Sequence, residues 1–263
     1  MTQTTADTLL TRDDNQGVVT LTLNAPKSFN ALSEAMLGAL QSALNEIKTD
    51  DSVRCVVLAA EGKAFCAGHD LKQMRANPDK AYYQALFTRC GEVMKSIVEL
   101  PVPVIAKVQG IATAAGCQLV ASCDLAVAAK SARFAVSGIN VGLFCSTPAV
   151  ALSRNVPRKR AMEMLMTGEF INANTAAEWG LVNRVAEDDN VDEALAALTD
   201  SIRAKSAVAV RTGKAMFARQ LAMPLDEAYA FAGETMACNM LADDVAEGID
   251  AFIEKRPPEW KHC

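Results

Sequence analysis

Apolar and polar positions fall into blocks along the first half of the chain, and the blocks have two different periods. Val18-Val19-Thr20-Leu21-Thr22-Leu23 is a β-branched and apolar run closed by Asn24-Ala25-Pro26, which reads as a strand entering a turn. Ser33 then precedes apolar residues at three- and four-residue intervals, Ala35, Leu37, Leu40, Leu44 and Ile47, predicting a capped amphipathic helix. Residues 53–59 and 102–108 predict further buried strands. A helical stretch at 119–123 is followed by strands at 125–129 and 134–136. This alternation predicts an α/β fold with parallel pairing.

After Thr147-Pro148 the pattern turns helical, at 149–156, 158–166, 175–179, 191–205 and the long stretch 206–254, with one strand at 182–185. A soft boundary near Asp200 divides a core of residues 1–200 from a helical region of residues 201–263. The last helices carry Leu221, Met223, Phe231, Met236, Met240 and Leu241, an apolar load that suits core packing first and a subunit interface second.

At 263 residues the chain can bury a full core. Its 26 basic and 31 acidic residues give a net charge of −5 without a basic stripe, which argues against nucleic acid as a partner. No apolar run approaches a membrane span, and residues 1–14 are polar, without the apolar centre of a signal peptide. Eight cysteines, Cys55, Cys66, Cys90, Cys117, Cys123, Cys145, Cys238 and Cys263, are scattered without C-x-x-C spacing beside only two histidines, His69 and His262. That usage points to reduced thiols in a cytoplasmic setting and away from a metal site.

Two short segments carry the candidate chemistry. Ala67-Gly68-His69-Asp70-Leu71 and Ala114-Ala115-Gly116-Cys117-Gln118 each follow a strand-like run and open a helical pattern. A helix start leaves backbone N–H groups unpaired, and small residues let another group come close to them. Two such starts brought together would suit a developing oxyanion, such as that of an acyl thioester under attack or losing an α-proton. The same small residues also suit tight strand–helix turns, and the pattern alone leaves both readings open.

The segments lie in longer motifs. Gly62-Lys63-Ala64-Phe65-Cys66-Ala67-Gly68-His69-Asp70-Leu71, Pro103-Val104-Ile105-Ala106 with Gly110-Ile111-Ala112 and Gly116-Cys117-Gln118-Leu119, and Asn24-Ala25-Pro26-Lys27-Ser28-Phe29-Asn30-Ala31-Leu32 together resemble the signatures of the crotonase, or enoyl-CoA hydratase/isomerase, superfamily. The resemblance extends over residues 17–256. It implies a spiral of β-β-α turns with a C-terminal helical region that forms a homotrimer or homohexamer. It also implies an acyl-CoA thioester ligand, with coenzyme A as part of the substrate and no separate cofactor. The resemblance assigns the oxyanion to the backbone amides of His69 and Ala115, framed by Ala67, Gly68, Leu71 and Gly116. Asp70 is read as capping its helix. Lys27 and Ser28, with Phe252 and Lys255 from a neighbouring subunit, occupy places where relatives touch coenzyme A.

The chain departs from the pattern where hydratases of the family carry two glutamates: those positions hold Gln118 and Gly138. Hydration needs a base to activate water and an acid to protonate Cα, and an amide has no proton to exchange near neutral pH. Residues 112–124 paired with 138–148 resemble a subfamily of animal mitochondrial proteins with bacterial counterparts that shares both departures. Cys117 and Cys145 read as buried small residues, and Ser137 and Asn140 as hydrogen-bond donors beside the missing acid. The His69 imidazole reads as solvent-facing first and pocket-facing second. The expected activity is altered or weak hydratase/isomerase chemistry, with a binding-only protein and a thioester hydrolase as alternatives. Placing glutamates at both 118 and 138 is expected to raise hydratase turnover.

Overall fold

The computed structural model describes residues 8–262; the polar residues 1–7 and Cys263 lie outside that range. Ten strands follow in chain order: β1 (Leu10–Asn15), β2 (Val18–Leu23), β3 (Cys55–Ala60), β4 (Ala64–Cys66), β5 (Val104–Val108), β6 (Ile111–Thr113), β7 (Leu125–Ala129), β8 (Arg133–Ala135), β9 (Ile171–Asn172) and β10 (Arg184–Ala186). They form a six-stranded sheet, β1-β2-β3-β5-β7-β10, and a four-stranded sheet, β4-β6-β8-β9. All pairings are parallel except β1 with β2 and β8 with β9. Successive strand pairs, β3–β4, β5–β6 and β7–β8, each give one strand to either sheet before the chain turns into helix. This is the spiral of β-β-α turns, and the α/β class read from the sequence is what the chain adopts.

Among the described residues there are eleven α-helices: α1 (Glu34–Lys48), α2 (Leu71–Ala76), α3 (Lys80–Glu99), α4 (Ala115–Ser122), α5 (Ser146–Leu152), α6 (Arg158–Thr167), α7 (Ala173–Glu178), α8 (Val191–Arg203), α9 (Ala207–Gln220), α10 (Leu225–Asn239) and α11 (Asp243–Glu254). Ser33 caps α1 as its position predicts, its side chain accepting from the Met36 N–H. The buried face of α1 is Met36, Leu37, Leu40, Leu44 and Ile47; Ala35 is exposed, and Met36 takes the place the spacing gave it.

Of the second strands, β4 and β6 were not visible in the hydrophobic pattern, whereas β8 falls on the run at 134–136. β4 and β6 are three residues each, too short to show a period of two. β1 is exposed along Thr11–Asn15, so it shows no apolar alternation either. The helical stretch 206–254 resolves into α9, α10 and α11. Its apolar load is not core packing within one chain: Leu221, Met236, Met240 and Leu241 are all exposed.

The C-terminal helices are nonetheless tied to the sheets. Lys214 on α9 has its ammonium buried, where it donates to the carbonyls of Ile97 and Val102 and to Asp124 Oδ2 at 2.6–3.0 Å. Asp124 also accepts from the Val104 N–H that begins β5. Three acceptors satisfy all three ammonium protons, so the desolvation cost of this pair is offset by full hydrogen bonding.

Candidate active site

The short sheet brings the candidate segments together. β4, β6 and β8 are adjacent and parallel, with Cys66 opposite Ala112 and Thr113 opposite Ala135. Their carboxyl ends therefore emerge side by side. Ala67-Gly68-His69 follows the first, Ala114-Ala115-Gly116 the second and Val136-Ser137-Gly138 the third. The connection from β2 to α1 is lashed across the first of these turns. Ala67 N–H donates to the Phe29 carbonyl at 3.0 Å, and Leu32 N–H to the Gly68 carbonyl at 2.8 Å.

Close approach explains the small residues. A Cβ on Gly116 would collide with the Cys66 carbonyl oxygen, so the first turn of α4 rests directly on the end of β4. Gly68 has φ +90°, and a Cβ there would lie 2.9 Å from the Ala114 methyl and 3.2 Å from the Ala115 nitrogen. The two turns thus meet backbone to backbone. Among the described residues, neither His69 N–H nor Ala115 N–H has a hydrogen-bond acceptor. Ala115 is buried, as is every residue of α4. Two unpaired donors in a buried corner favour an anionic oxygen.

Ala114 is a departure that the sequence gave no sign of. Its φ of 51° and ψ of −121° belong to a region that glycine alone enters without strain. Its N–H donates to the Ala135 carbonyl at 3.0 Å and its carbonyl accepts from Gln118 N–H at 3.1 Å, so bonds on both sides hold the conformation. Such a backbone costs about 1–3 kcal/mol.

Asp70 caps α2, its side chain accepting from the N–H groups of Lys72 and Gln73, as its place before the helix predicts. The His69 imidazole does not face solvent. Nδ1 lies 3.3 Å from the Leu32 carbonyl, the ring sits edge-on to Phe87 at 5.5 Å, and Nε2 is buried without a partner. Burial lowers its pKa and keeps the ring neutral. Gln118 is 4% exposed and its Oε1 also lacks a partner. Cys117 and Cys145 are buried as expected; burial pushes the Cys117 thiol up to about 12.

Gly138 lies in a tight turn, Ser137–Val141, whose Gly138 N–H donates to Cys145 Sγ at 3.2 Å. A Cβ on residue 138 would meet the Leu143 carbonyl oxygen at 2.6 Å and Cys145 Sγ at 2.7 Å. The chain has therefore closed over the place where a glutamate would stand. This revises the expectation that restoring both acids restores hydration: a side chain at 138 has to displace backbone first. Ser137 Oγ is 2.7 Å from Thr113 Oγ1, tying this turn to the end of β6, and Asn140 Nδ2 donates to the Gly168 carbonyl at 3.4 Å.

The other expected contacts lie farther out. Lys27 and Ser28 form an exposed turn, with Ser28 Oγ donating to the Ala25 carbonyl at 3.0 Å. Leu71 is exposed at the start of α2. Phe252 is 85% exposed at the end of α11, and Lys255 closes that helix in the left-handed conformation. Sequence reasoning gave no role to Asn30. It is fully buried, donates to the carbonyls of Glu61 and Ala64 and accepts from Ala25 N–H, each at 2.8 Å. A polar residue at the end of a turn-rich motif was its only signal.

Comparisons with known proteins place the chain in a family. Residues 13–263 match the family model described as enoyl-CoA hydratase/isomerase. Enoyl-CoA hydratase domain-containing protein 3, mitochondrial, of Rattus norvegicus is 47% identical, over 94% of this chain and 82% of that protein. The crystal structure of an enoyl-CoA hydratase from Mycobacterium smegmatis has a TM-score of 0.95 at 63% identity, covering 96% of this chain and 98% of its own. The human enoyl-CoA hydratase domain-containing protein 3 gives 0.93 at 44%, covering 96% and 100%. These relatives bear out the subfamily resemblance. The mitochondrial names do not fit a plain cytoplasmic setting; no helix among the described residues is long and apolar enough to cross a membrane.

Two outcomes are expected. Gly138→Ala lowers stability by roughly 1–3 kcal/mol in denaturant titrations, and Gly138→Glu combined with Gln118→Glu gives no gain in hydration of crotonyl-CoA. An unchanged unfolding midpoint for Gly138→Ala would show that the turn yields freely. For His69, the unfolded chain binds a proton below about pH 6.5 that the folded protein resists. Stability is therefore complete above that pH and falls below it, by at most about 1.4 kcal/mol per pH unit. His69→Gln flattens this decline, and superimposable pH profiles of the two proteins would refute it.

Proposed function

Because the chain belongs to the enoyl-CoA hydratase/isomerase family, we propose that its corner of unpaired amides holds the carbonyl oxygen of an acyl-CoA thioester. The His69 and Ala115 N–H groups donate to that oxygen and favour it more as charge accumulates there, whether by attack at the carbonyl or by loss of an α-proton. Donors of this kind typically contribute about 3 kcal/mol each when fixed in a water-poor site. The observation that carries the reading is the meeting of Gly68 with the Ala115 amide, with no acceptor for either N–H.

The stabilising half of the family chemistry is kept and the proton-transferring half is reduced. Gln118 can orient a water or a hydroxyl but cannot exchange a proton near neutral pH. Residue 138 brings no side chain. Each missing acid or base is worth typically 10²–10⁴-fold, so hydration is slow. Lys27 and Ser28 contact the coenzyme A portion, joined by Phe252 and Lys255 from a neighbouring subunit. That neighbour is supplied by a homotrimer or homohexamer. What supports the assembly is the apolar surface on α9–α11, where Phe217, Leu225, Tyr229 and Leu241 are 61–86% exposed.

Crotonyl-CoA hydration measured beside thioester hydrolysis tests the chemistry. Hydration at most a few per cent of that of a two-glutamate hydratase is expected. Full turnover would mean that the reading of Gln118 and Gly138 is wrong and that the name of the Mycobacterium smegmatis relative applies here in full. Ala115→Trp abolishes thioester binding by calorimetry; unaltered affinity places the ligand elsewhere. Sedimentation should give a trimer or hexamer that falls apart in Leu241→Glu, and a monomeric parent would remove the neighbouring-subunit contacts.

A further inference from the structure

The strained residue of the site is not one whose amide faces the oxyanion but the one before it. Ala114 stands at φ 51°, ψ −121°, and its methyl lies over Gly68. The other non-glycine residues of positive φ whose ψ is known, Phe29 and Lys255, occupy the ordinary left-handed basin at ψ 36–39°. A methyl in a glycine-only conformation is held there by bonds to β8 and to the first turn of α4. Glycine would make the same bonds without strain. The methyl is thus a cost to the isolated turn; it is half-buried against the hydrophobic core on one side and faces the peptide at Gly68 on the other.

We infer that Ala114 is a positioning residue whose methyl acts as the spacer between the two amide-bearing turns. It limits how far the His69 and Ala115 N–H groups can drift together or turn away, so both point at one oxygen before a ligand arrives. With glycine at 114, the peptide between 114 and 115 gains access to conformations on both sides of φ = 0. The Ala115 N–H is then aimed by the bonds at either end of the turn and no longer by the methyl, and part of its ordering has to occur on binding. The inference rests on the oxyanion reading above and adds to it which side chain sets the aim.

Ala114→Gly separates aim from mere support, because only a ligand with a carbonyl senses the amides. Butyryl-CoA and its thioether analogue S-butyl-CoA, which lacks the carbonyl, are compared by calorimetry on both proteins. The carbonyl stretch of ¹³C-labelled butyryl-CoA is read by difference infrared spectroscopy. The expected results are a melting temperature raised by a few degrees and butyryl-CoA bound about tenfold more weakly, the equivalent of one hydrogen bond. S-butyl-CoA affinity stays unchanged, and the bound carbonyl stretch returns part of the way to its position in water.

A lowered melting temperature would overturn the premise that the methyl is strained. Equal losses for both ligands, or no loss for either, would make Ala114 a structural residue only. If the unaltered protein binds the two ligands alike and shows no red shift of the carbonyl, the oxyanion reading itself fails and this inference goes with it. If that red shift is present and survives intact in Ala114→Gly, the inference alone fails.

Discussion

The whole arrangement depends on one contact, the seating of the first turn of α4 on the carbonyl end of β4. Gly116 lies so close to the Cys66 carbonyl that no side chain fits between them. That contact fixes how near two chain reversals can come. The parallel register of β4, β6 and β8 supplies the rest, since three adjacent strands that end together must release their turns on one side of the sheet. A helix buried all round has no solvent face to rock toward, so α4 keeps its start where the sheet puts it.

The site is correspondingly a backbone site. Its two unpaired donors are main-chain amides, which need no rotamer ordering, and its nearest ionisable ring is held neutral by burial. The polar side chains around it serve other ends. Asn30 ties three backbone groups of the flanking loops together, and Thr113 and Ser137 join the second and third turns through their hydroxyls. Stabilisation of charge at such a corner would rest on main-chain donors and not on carboxylates.

The sequence disclosed those parts of this frame that are written in periodicity, caps and small residues. Ser33 and Asp70 both cap the helices they precede, and the run at 18–23 forms its strand. Gly68 and Gly116 stood out as places of close approach. The short strands β4 and β6 escaped notice because a period of two needs more length to register, whereas β8 and β10 fall on the apolar runs at 134–136 and 182–185. Ala114 gave no signal, since alanine is common in helices, strands and turns alike and nothing in its identity reveals a glycine's conformation. Gly138 was read as an empty position, whereas it is a filled one, occupied by the Leu143 carbonyl and Cys145. The apolar load of the terminal helices suits a core first and a subunit interface second, because composition does not say whether the covering surface belongs to the same chain.

The thiols beside the two turns have a bearing on ligand survival. Cys66 and Cys117 lie within a few residues of the paired amides, and a thioester is an electrophile that free thiolates capture by acyl exchange. Burial holds both thiols at about 12, so the attacking form is all but absent at neutral pH. Under the acyl-CoA reading proposed above, keeping these sulfurs protonated and out of reach would spare a bound thioester from acyl exchange.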